Sequence, residues 1–422
     1  MLKPSYIIAN KDEVIKSLKI RNFNSEVLIE ELISLDNERK IIQTEYESKL
    51  SQSNSISKNI GKLFKEGKKE ETVVLKEKSL KIKNETKSLS EKLNMIKIQI
   101  NNILFQIPNV PNQNVPNGKP QDDNIVIYES KTKINPKAKI PHWELAEKYD
   151  IIDFELGNKI TGSGFPVYKG KGAKLQRALI SFFLDCNISS GYEEVQVPHL
   201  VNEKSAFGTG QLPDKEGQMY SIPTDNLFLI PTAEVPITNI FRDQIIDEAS
   251  LPILKTGYTP CFRREAGSYG SHVRGLNRLH QFDKVEIVRV DHPEKSYESL
   301  ELMKDQIKSV IEKLELPFRI VTLCGGDLGF TSALTYDFEI YSPAQDKWLE
   351  VSSVSNFETF QSNRLKIRYR STDGKTGLAH TLNGSSLALP RVLATIIENF
   401  QTDEGIKIPK VLQNYTGFPL IK

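Results

Sequence analysis

Hydrophobic residues recur at alternating steps of four and three through residues 28–103, in two runs separated by a short break. The first run comprises Leu28, Leu32, Leu35, Ile42, Tyr46, Ile56, Ile60 and Leu63, with Arg39 as a polar exception. The second run comprises Leu75, Ile82, Leu89, Leu93, Ile96, Ile100 and Ile103. This spacing is the heptad seam of a coiled coil. Because the break falls within 61–67, the runs predict an antiparallel helical hairpin, on the order of 45–55 Å long at 1.5 Å per residue.

The segments on either side of this hairpin have different patterns. A small apolar face formed by Ile7, Ile8, Val14, Ile15 and Leu18 predicts a short helical segment within residues 1–26. Residues 106–136 contain five prolines and six asparagines, which is typical of an extended linker. The sequence therefore predicts an N-terminal hairpin domain (1–107), a linker (108–138) and a larger domain (139–422).

Strand patterns outnumber helix patterns in the larger domain. The predicted strands cover 164–171, 192–199, 227–230, 259–262, 281–288, 320–323, 336–341, 347–353 and 365–369. The predicted helices cover 142–149, 174–186, 300–314 and 390–401. With so few crossover helices, we expect an α+β fold built on a mainly antiparallel sheet. The chain contains neither a P-loop nor a strand-GxGxxG-helix unit, so a nucleotide site would be of neither kind.

Composition narrows the classes of function only slightly. The 56 basic and 54 acidic residues nearly cancel, so a nucleic-acid footprint would have to be local. The three cysteines, at 186, 261 and 324, lie far apart, which excludes a disulfide framework and a structural zinc site. No run of 18 apolar residues predicts a membrane span, and the N-terminus resembles neither a signal nor a transit peptide. We therefore expect a cytoplasmic protein.

The predicted tip of the hairpin has a strong local charge. Residues 58–83 contain nine lysines and four glutamates, a net charge of +5. A basic rod of this kind can follow the phosphate backbone of a nucleic acid. A solvated lysine-rich coiled coil without a ligand, or a helical zipper between proteins, explains the same pattern.

Residues 256–288 mix cations, carboxylates and glycines in a way that is unusual for a core hairpin. The two ends of this segment are predicted to be strands, and the middle is predicted to be a Gly/Ser-rich loop. The charged residues and glycines are Arg263, Arg264, Arg274, Arg278, Glu265, Glu286, Gly267, Gly270 and Gly275. Guanidinium groups bind phosphates and carboxylates bind amines, so the segment suits a ligand that carries a polyphosphate and an amino group. A surface hairpin held by salt bridges is the alternative.

Polar residues also occupy three other segments where a core sheet is normally apolar. They are Thr232 and Glu234 in a predicted rigid loop between prolines, Glu350, Ser352 and Ser353 at the end of a strand, and Asn383, Ser385 and Arg391 in a predicted turn. Taken singly, each suits a structural role, such as a helix N-cap for Ser385 or a surface strand position for Glu350. Together with the central hairpin, they predict one shared site.

These segments resemble the motifs of seryl-tRNA synthetases, a family of class II aminoacyl-tRNA synthetases. The matching stretches are GTGQLP at 208–213, PTAEVP at 231–236, FRREAGSYGSHVRGLNRLHQFDKVE at 262–286, EVSSVSN at 350–356 and NGSSLALPR at 383–391. The resemblance covers nearly the whole chain, and the stretch at 262–286 is highly specific. It implies a class II catalytic sheet, a homodimer, and a helical arm that grips tRNA(Ser).

The resemblance also implies the reaction. The carboxylate of L-serine joins the α-phosphate of ATP, pyrophosphate leaves, and the seryl group then moves to the terminal ribose of the tRNA, with Mg²⁺ as cofactor. Whether tRNA(Sec) is a second acceptor is left open. Both steps depend more on positioning and charge stabilisation than on acid–base catalysis.

Individual roles follow from the same resemblance. Arg263 and Arg391 are the implied catalytic residues, with Arg263 on the α-phosphate and Arg391 on the β/γ end. The implied ATP-binding residues are Arg263, Arg264, Glu265, Arg278, Phe282, Glu350, Val351, Ser352, Ser353 and Arg391. The implied serine-binding residues are Thr232, Ala233, Glu234, Glu286 and Ser385. Glu350 and Ser353 match the Mg²⁺ ligands, since this ion takes oxygen ligands together with phosphates.

The sequence departs from the family pattern at Arg264, where serine is common, and at Ser386 and Pro390, where glycine is common. We expect these differences to alter local loop geometry and not to abolish activity. Two other functions fit part of the pattern. A ligase that loads an amino acid onto a carrier protein would not need the long basic hairpin. A degenerate dimer that serves as a coiled-coil adaptor would not need the intact arginines and glutamates.

Overall fold

The computed structural model describes residues 1–120, 123–265 and 274–422, apart from the side chain of Lys69. Gly267 and Gly270, which the sequence places in the central loop, lie outside the described residues. The chain forms two compact units, one of residues 2–19 and 23–108, the other of residues 1, 20–22 and 109–422. Among the described residues, no helix combines the length and hydrophobicity that a membrane crossing requires.

The smaller unit is the predicted helical hairpin. Its helices are α1 (Pro4–Ala9), α2 (Lys11–Ile20), α3 (Glu26–Lys65) and α4 (Lys69–Leu104). The antiparallel pairing of α3 and α4 is confirmed, but the break predicted within 61–67 starts too early, because α3 continues through Gly61 to Lys65. One glycine in a helix interior costs only about 1 kcal/mol, too little to end a 40-residue helix. The chain reverses at 66–68, where Gly67 has a φ of 73°.

The heptad seam of α4 is buried as the spacing predicts. Its buried residues are Ile82, Leu89, Leu93, Ile96, Ile100 and Ile103. The seam of α3 is more polar, because Asp36 is buried there and binds Arg39 at 2.8 Å and Lys40 at 2.9 Å. Arg39, the polar exception in the heptad pattern, therefore forms an ion pair with a carboxylate of the same helix.

The larger unit contains the remaining helices and all the strands described. The helices are α5 (His142–Lys148), α6 (Phe154–Ile160), α7 (Gly170–Ser189), α8 (Glu203–Thr209), α9 (Glu234–Asn239), α10 (Ser296–Lys313), α11 (Phe360–Leu365), α12 (Leu389–Asn399) and α13 (Gln413–Thr416). The strands are β1 (Ile125–Glu129), β2 (Ile152–Asp153), β3 (Val167–Tyr168), β4 (Glu193–Glu194), β5 (Leu200–Asn202), β6 (Ser221–Ile222), β7 (Leu227–Leu229), β8 (Ile245–Asp247), β9 (Ile253–Phe262), β10 (Gln281–Asp291), β11 (Phe318–Thr322), β12 (Leu334–Ser342), β13 (Lys347–Asn356), β14 (Arg368–Arg370), β15 (Thr376–Leu378), β16 (His380–Ala388), β17 (Gln401–Thr402), β18 (Gly405–Lys407) and β19 (Leu420–Ile421).

An eight-stranded sheet organises this unit, in the order β1-β11-β12-β13-β16-β10-β9-β4. Its neighbouring strands are antiparallel except for β4 and β9, which are parallel. The predicted α+β class is confirmed. One face of the sheet carries the hydrophobic core, with Ile287, Phe338 and Val354 buried beside residues of α7, α10 and α12. Because strand side chains alternate between faces, the residues next to these point to the opposite, polar face.

Two predictions about loops are wrong. The segment predicted as a turn before Arg391 is the nine-residue strand β16, paired with β10 on one side and β13 on the other. Ser385 therefore lies within a central strand and is not a helix N-cap. The predicted rigid loop around Glu234 continues into a helix, since Glu234 is the first residue of α9. In both places tertiary contacts override what the local composition favours.

Two further segments differ from their predicted secondary structure. Within the proline-rich linker, the β-branched and aromatic run 125–129 forms β1, the edge strand of the large sheet. This composition favours pairing as a strand, and 109–138 is counted with the larger unit. The strand predicted at 365–369 begins only at Arg368, because α11 extends to Leu365.

Candidate active site

A cavity of about 560 Å³ opens on the polar face of the large sheet. Of the predicted site residues, the structure brings Thr232, Glu234, Arg263, Glu265, Arg278, Phe282, Glu286, Glu350, Val351, Ser352, Ser353, Ser385 and Arg391 to its walls. Ala233 and Arg264 do not line it. Ala233 is buried beside Ile237 and Val288, and the backbone N–H of Arg264 donates to the carbonyl of Gln218 at 2.9 Å.

Strand periodicity places the central side chains on one wall. Phe282, Lys284 and Glu286 are alternate residues of β10, so all three face the cavity. Glu286 stands directly opposite Ser385 on β16 in the antiparallel register. Lys284 was missed in the sequence, although its period-two spacing from Phe282 and Glu286 was a usable signal.

One end of the cavity holds a compact polar cluster around Glu286. The hydroxyl of Thr232 donates to Glu286 Oε2 at 3.0 Å, and Lys284 Nζ lies 2.6 Å from the same oxygen. The side chains of Lys284 and Glu286 are only 8% and 2% exposed. Removal of either partner would leave an uncompensated buried charge, which is strongly destabilising, so each of Lys284 and Glu286 requires the other.

Glu234 lies beside this cluster and is held from behind by a buried amide. Gln361 Nε2 donates to Glu234 Oε1 at 2.6 Å and to the carbonyl of Thr209 at 3.2 Å. Gln361 Oε1 in turn accepts from the Thr381 hydroxyl at 2.8 Å. Gln361 was also missed, and no local signal identified it, because it lies on α11 outside every motif and reaches Glu234 only through the fold.

The environment of Glu234 changes its ionisation. Burial, followed by the negative charge of Glu286, raises the pKa of Glu234 to about 7. Gln361, Lys284 and Asn383 limit this increase, because each favours the ionised carboxylate. The cluster therefore presents a carboxyl group that gains or loses its charge near neutral pH and that suits a cationic ligand.

Three arginines, Arg263, Arg278 and Arg391, also line the cavity, and their part of the wall is called the arginine end below. The Arg263 guanidinium lies 5.2 Å from the centre of the Phe282 ring, and its Nε donates to the carbonyl of Pro231 at 3.3 Å. Arg278 forms an ion pair with Glu265 at 2.9 Å. Both partners are partly exposed, and such pairs contribute little, so an anionic ligand can compete for the guanidinium.

Arg391 joins the strand β13 to the turn before Arg278. Its Nη1 donates to the backbone carbonyl of Glu350 at 2.7 Å, and its Nε donates to the carbonyl of Asn277 at 3.2 Å. Nη1 also lies 3.6 Å from the Glu350 carboxylate. Arg391 follows Pro390, which occupies the first turn of α12, where proline is tolerated.

The predicted metal ligands, Glu350 and Ser353, lie three residues apart on β13. The Ser353 hydroxyl donates to Asp337 Oδ1 on β12, and the Ser352 hydroxyl donates to the carbonyl of Ser385 at 2.5 Å. Burial and the charge of Glu350 raise the pKa of Asp337 well above its usual range. Within the described residues, no group of three or more His, Cys, Asp or Glu side chains is arranged to hold a metal ion. Glu350 and Ser353 would thus supply two oxygens and need further oxygens from a ligand.

The cavity and its antiparallel sheet coincide with a known type of domain. The family model described as tRNA synthetase class II core domain (G, H, P, S and T) matches residues 220–400, which include β9, β10, β13, β16 and most of the cavity walls. The larger unit therefore contains the core of a class II aminoacyl-tRNA synthetase. The model described as Seryl-tRNA synthetase N-terminal domain matches residues 1–111, which include the helical hairpin. With the relatives below, these matches show that the chain belongs to the seryl-tRNA synthetase family.

The relatives match along nearly their whole length. The serine–tRNA ligase of Salinibacter ruber is 48% identical, with 96% of each chain covered. The seryl-tRNA synthetase of Pyrococcus horikoshii, whose structure was solved in complex with ATP, is 34% identical, with 100% of this chain and 99% of the other covered and a TM-score of 0.90. The cytoplasmic serine–tRNA ligase of Naegleria fowleri, whose structure was solved in complex with AMP, is 25% identical. The match covers 97% of this chain and 96% of the other, with a TM-score of 0.84.

Proposed function

We propose that the protein is an ATP-dependent serine–tRNA ligase. It activates L-serine to seryl-adenylate with release of pyrophosphate and then transfers the seryl group to the 3′ end of tRNA(Ser). The observation that carries this proposal is that one cavity is lined both by the carboxylates Glu234 and Glu286 and by the arginines Arg263, Arg278 and Arg391. The names of the relatives, serine–tRNA ligase and seryl-tRNA synthetase, support it.

The carboxylate end is the proposed serine subsite. Glu286 and Glu234 provide negative charge for the ammonium group, and Thr232 and Ser385 provide hydroxyl groups within the same wall. Ala233, the remaining residue of the proposed serine-binding set, is buried with Ile237 and Val288. A site that hydrogen-bonds a ligand hydroxyl leaves buried polar groups unpaired when the hydroxyl is missing. This subsite should therefore select serine against alanine, and its small size should exclude threonine.

The arginine end is the proposed ATP subsite. A serine carboxylate oxygen forms a bond to the α-phosphorus while the bond from that phosphorus to the pyrophosphate oxygen breaks. Negative charge grows on the α-phosphoryl oxygens, and Arg263, whose Nε donates to the carbonyl of Pro231 next to Thr232, is the proposed residue that stabilises it. Arg278 and Arg391 bind the departing β and γ phosphates, while Phe282 provides a ring face for the adenine. Arg264, Glu265, Val351 and Ser352 complete the proposed ATP-binding set.

Mg²⁺ fits this arrangement when the ligand supplies oxygens. The ion is commonly held by one or two carboxylates together with substrate phosphates and waters. Glu350 and Ser353 would hold it, with Asp337 fixing the Ser353 hydroxyl through the hydrogen bond that it accepts. When bound, the ion would neutralise phosphate charge.

The helical hairpin is the proposed tRNA-binding arm. The net charge of +5 over residues 58–83 lies at the far end of α3 and the start of α4, and RNA duplexes are recognised largely by shape and phosphate contacts. We further infer a homodimer in the cytoplasm from the family resemblance. Sedimentation analysis tests the dimer and cell fractionation tests the location.

Amino-acid-dependent ATP–pyrophosphate exchange tests the activation step. We expect exchange with serine and a rate roughly 10⁴–10⁵-fold lower with alanine. Comparable rates with the two amino acids would overturn the assignment. Charging of tRNA(Ser) tests the second step, because a ligase for a carrier protein would catalyse exchange without charging tRNA. The same assay with tRNA(Sec) tests the second acceptor.

A further inference from the structure

A fully buried His–Glu pair lies behind the arginine end of the cavity. His142 Nδ1 lies 2.8 Å from Glu398 Oε1, and both side chains are 0% exposed. The backbone N–H of His142 donates to the same carboxylate oxygen at 3.1 Å. His142 belongs to α5 and Glu398 to α12, so the pair joins two helices, and neither residue lines the cavity.

The second ring nitrogen of His142 holds the turn that precedes Arg278. His142 Nε2 accepts from the backbone N–H of Leu276 at 2.9 Å. A neutral histidine donates from one ring nitrogen and accepts at the other, so this bond assigns the proton to Nδ1, which donates to Glu398. Burial raises the pKa of Glu398, but hydrogen bonds from His142 and Ser342 outweigh it and hold the pKa below its ordinary value.

A second route leads from Glu398 to the same turn. Gln345 Nε2 donates to Glu398 Oε1 at 3.1 Å, and Gln345 Oε1 accepts from Asn277 Nδ2 at 2.8 Å. The backbone carbonyl of Asn277 accepts from Arg391 Nε at 3.2 Å. Glu398 is therefore connected to two consecutive residues of the turn, to Leu276 through His142 and to Asn277 through Gln345. Asn277 in turn orients Arg391.

The turn also approaches His142 too closely for a side chain. A Cβ added to Gly275 would lie 2.3 Å from His142 Nε2, and Gly275 has a φ of 69°. A residue with a side chain would have to displace the imidazole or the backbone. The imidazole of His142 therefore packs directly against the backbone of the turn.

We propose that His142 and Glu398 are positioning residues that set the ATP affinity of the site by fixing the turn 275–277. This turn leads directly into Arg278, and its Asn277 carbonyl orients Arg391. The inference rests on the proposed function, because it assumes that these arginines bind the phosphates of ATP. A purely structural pair would change the stability of the protein and leave the balance between ATP and serine affinity unchanged.

Two substitutions of His142 separate its two hydrogen bonds. In His142→Asn, the shorter amide can replace Nδ1 and bind Glu398, but it does not reach the Leu276 N–H. In His142→Gln, the amide oxygen can replace Nε2 and accept from Leu276. Because a buried N–H without an acceptor is costly, we expect His142→Asn to weaken ATP binding on the order of tenfold and His142→Gln to recover most of the loss. Serine affinity should change less than about twofold in both.

The matched control is His380→Asn. His380 is also buried, with Nδ1 2.7 Å from the Ser296 hydroxyl, and it does not line the cavity. The His380→Asn substitution should lower the melting temperature of the protein without changing the ratio of its ATP affinity to its serine affinity. If His142→Asn fails to fold, Gln345→Ala decides the question, because Gln345 is only half-buried and carries the second route alone. We expect a loss of about threefold for ATP and none for serine.

Calorimetric titration of each variant with ATP and, separately, with serine provides the readout, and serine-dependent exchange accompanies it. Loss of ATP affinity alone, with recovery in His142→Gln, supports the inference. Equal affinities in all variants, or equal losses for both ligands, overturn it. A wild-type protein that binds ATP but shows no serine-dependent exchange would overturn the proposed function, while the titrations would still test the role of the pair.

Discussion

Replacing Gln361 by methionine tests whether a buried hydrogen bond sets the ionisation of Glu234. Gln361 is fully buried, and its amide donates to Glu234 Oε1 at 2.6 Å. Methionine has a similar length and volume but cannot donate, so the packing cost of the substitution is small. The substitution removes the donor to the Glu234 carboxylate, together with the hydrogen bonds of Gln361 to Thr209 and Thr381, which lie outside the cavity wall.

The direction and size of the effect follow from the geometry. A hydrogen bond to a charged group contributes about 1.5–3 kcal/mol, and a pKa change of 1 corresponds to about 1.4 kcal/mol. The bond favours the ionised form, so its loss should raise the pKa of Glu234, already about 7, by about 1–2. Only the ionised carboxylate attracts the ammonium of serine. At pH 7.5, kcat/KM for serine should therefore fall on the order of tenfold.

The assay is kcat/KM for serine in ATP–pyrophosphate exchange between pH 6 and pH 9. This ratio reports the ionisation of the free enzyme, and it should rise with pH through the pKa of Glu234. In Gln361→Met, the rise should move to higher pH, and the two profiles should converge toward pH 9. KM for ATP should stay within about twofold, because the lost bond lies at the serine end.

Gln176→Met is the matched control. Gln176 is buried and donates to Asp283 Oδ2 at 2.9 Å, which is the same pairing of an amide with a carboxylate, and neither residue lines the cavity. Its pH profile should match that of the wild type. A Gln361→Met profile that is unchanged, or that moves to lower pH, would refute the role given to this hydrogen bond.

Three other substitutions or deletions test the remaining roles. Arg263→Ala should lower the single-turnover rate of adenylate formation about 10²–10³-fold, because its charge partner forms in the transition state; a loss confined to serine affinity would contradict this. Deletion of residues 30–100, replaced by a short linker, should spare serine-dependent exchange and abolish tRNA charging, since the catalytic sheet has its own core; full charging by the deleted protein would remove the arm from the mechanism. Lys65→Ala with Lys68→Ala should weaken tRNA binding and flatten its log–log salt dependence by about 0.7–0.9 per lost phosphate contact; an unchanged slope would place the contacts elsewhere.

The hairpin was predictable because its information is local. A heptad seam needs only the spacing of apolar residues along one segment, and α4 buries Ile82, Leu89 and Leu93 as the spacing requires. The one error in the predicted hairpin also came from a local signal. Gly61 indicated a break, yet the packed length of α3 outweighs the cost of one glycine.

The cavity was predictable where its residues share a strand or a motif. Phe282 and Glu286 follow the period of β10, and the resemblance identified their neighbours on other segments. The strand β16 was missed because its sequence, HTLNGSSLA, is polar and contains a glycine. Its strand conformation depends on pairing with β10 and β13, which no local pattern encodes.

Residues that act through other residues were the least predictable. Gln361 touches Glu234 across 127 positions of sequence, and His142 touches Glu398 across 256. Neither pair has a characteristic spacing, because the fold alone brings the partners together. A single sequence identifies groups that face a ligand better than it identifies the groups behind them.

The uneven seam of the hairpin has a consequence for how the arm opens. Buried apolar residues are frequent near the end of α4, with Leu93, Ile96 and Ile100 in succession, whereas none of the described apolar residues between Ile56 and Ile82 is buried. Local stability follows the density of such contacts. Amide hydrogens should therefore exchange fastest near the reversal at 66–68 and progressively more slowly along both helices away from it. The two helices would therefore separate first at the basic tip, while the other end of the hairpin stays paired.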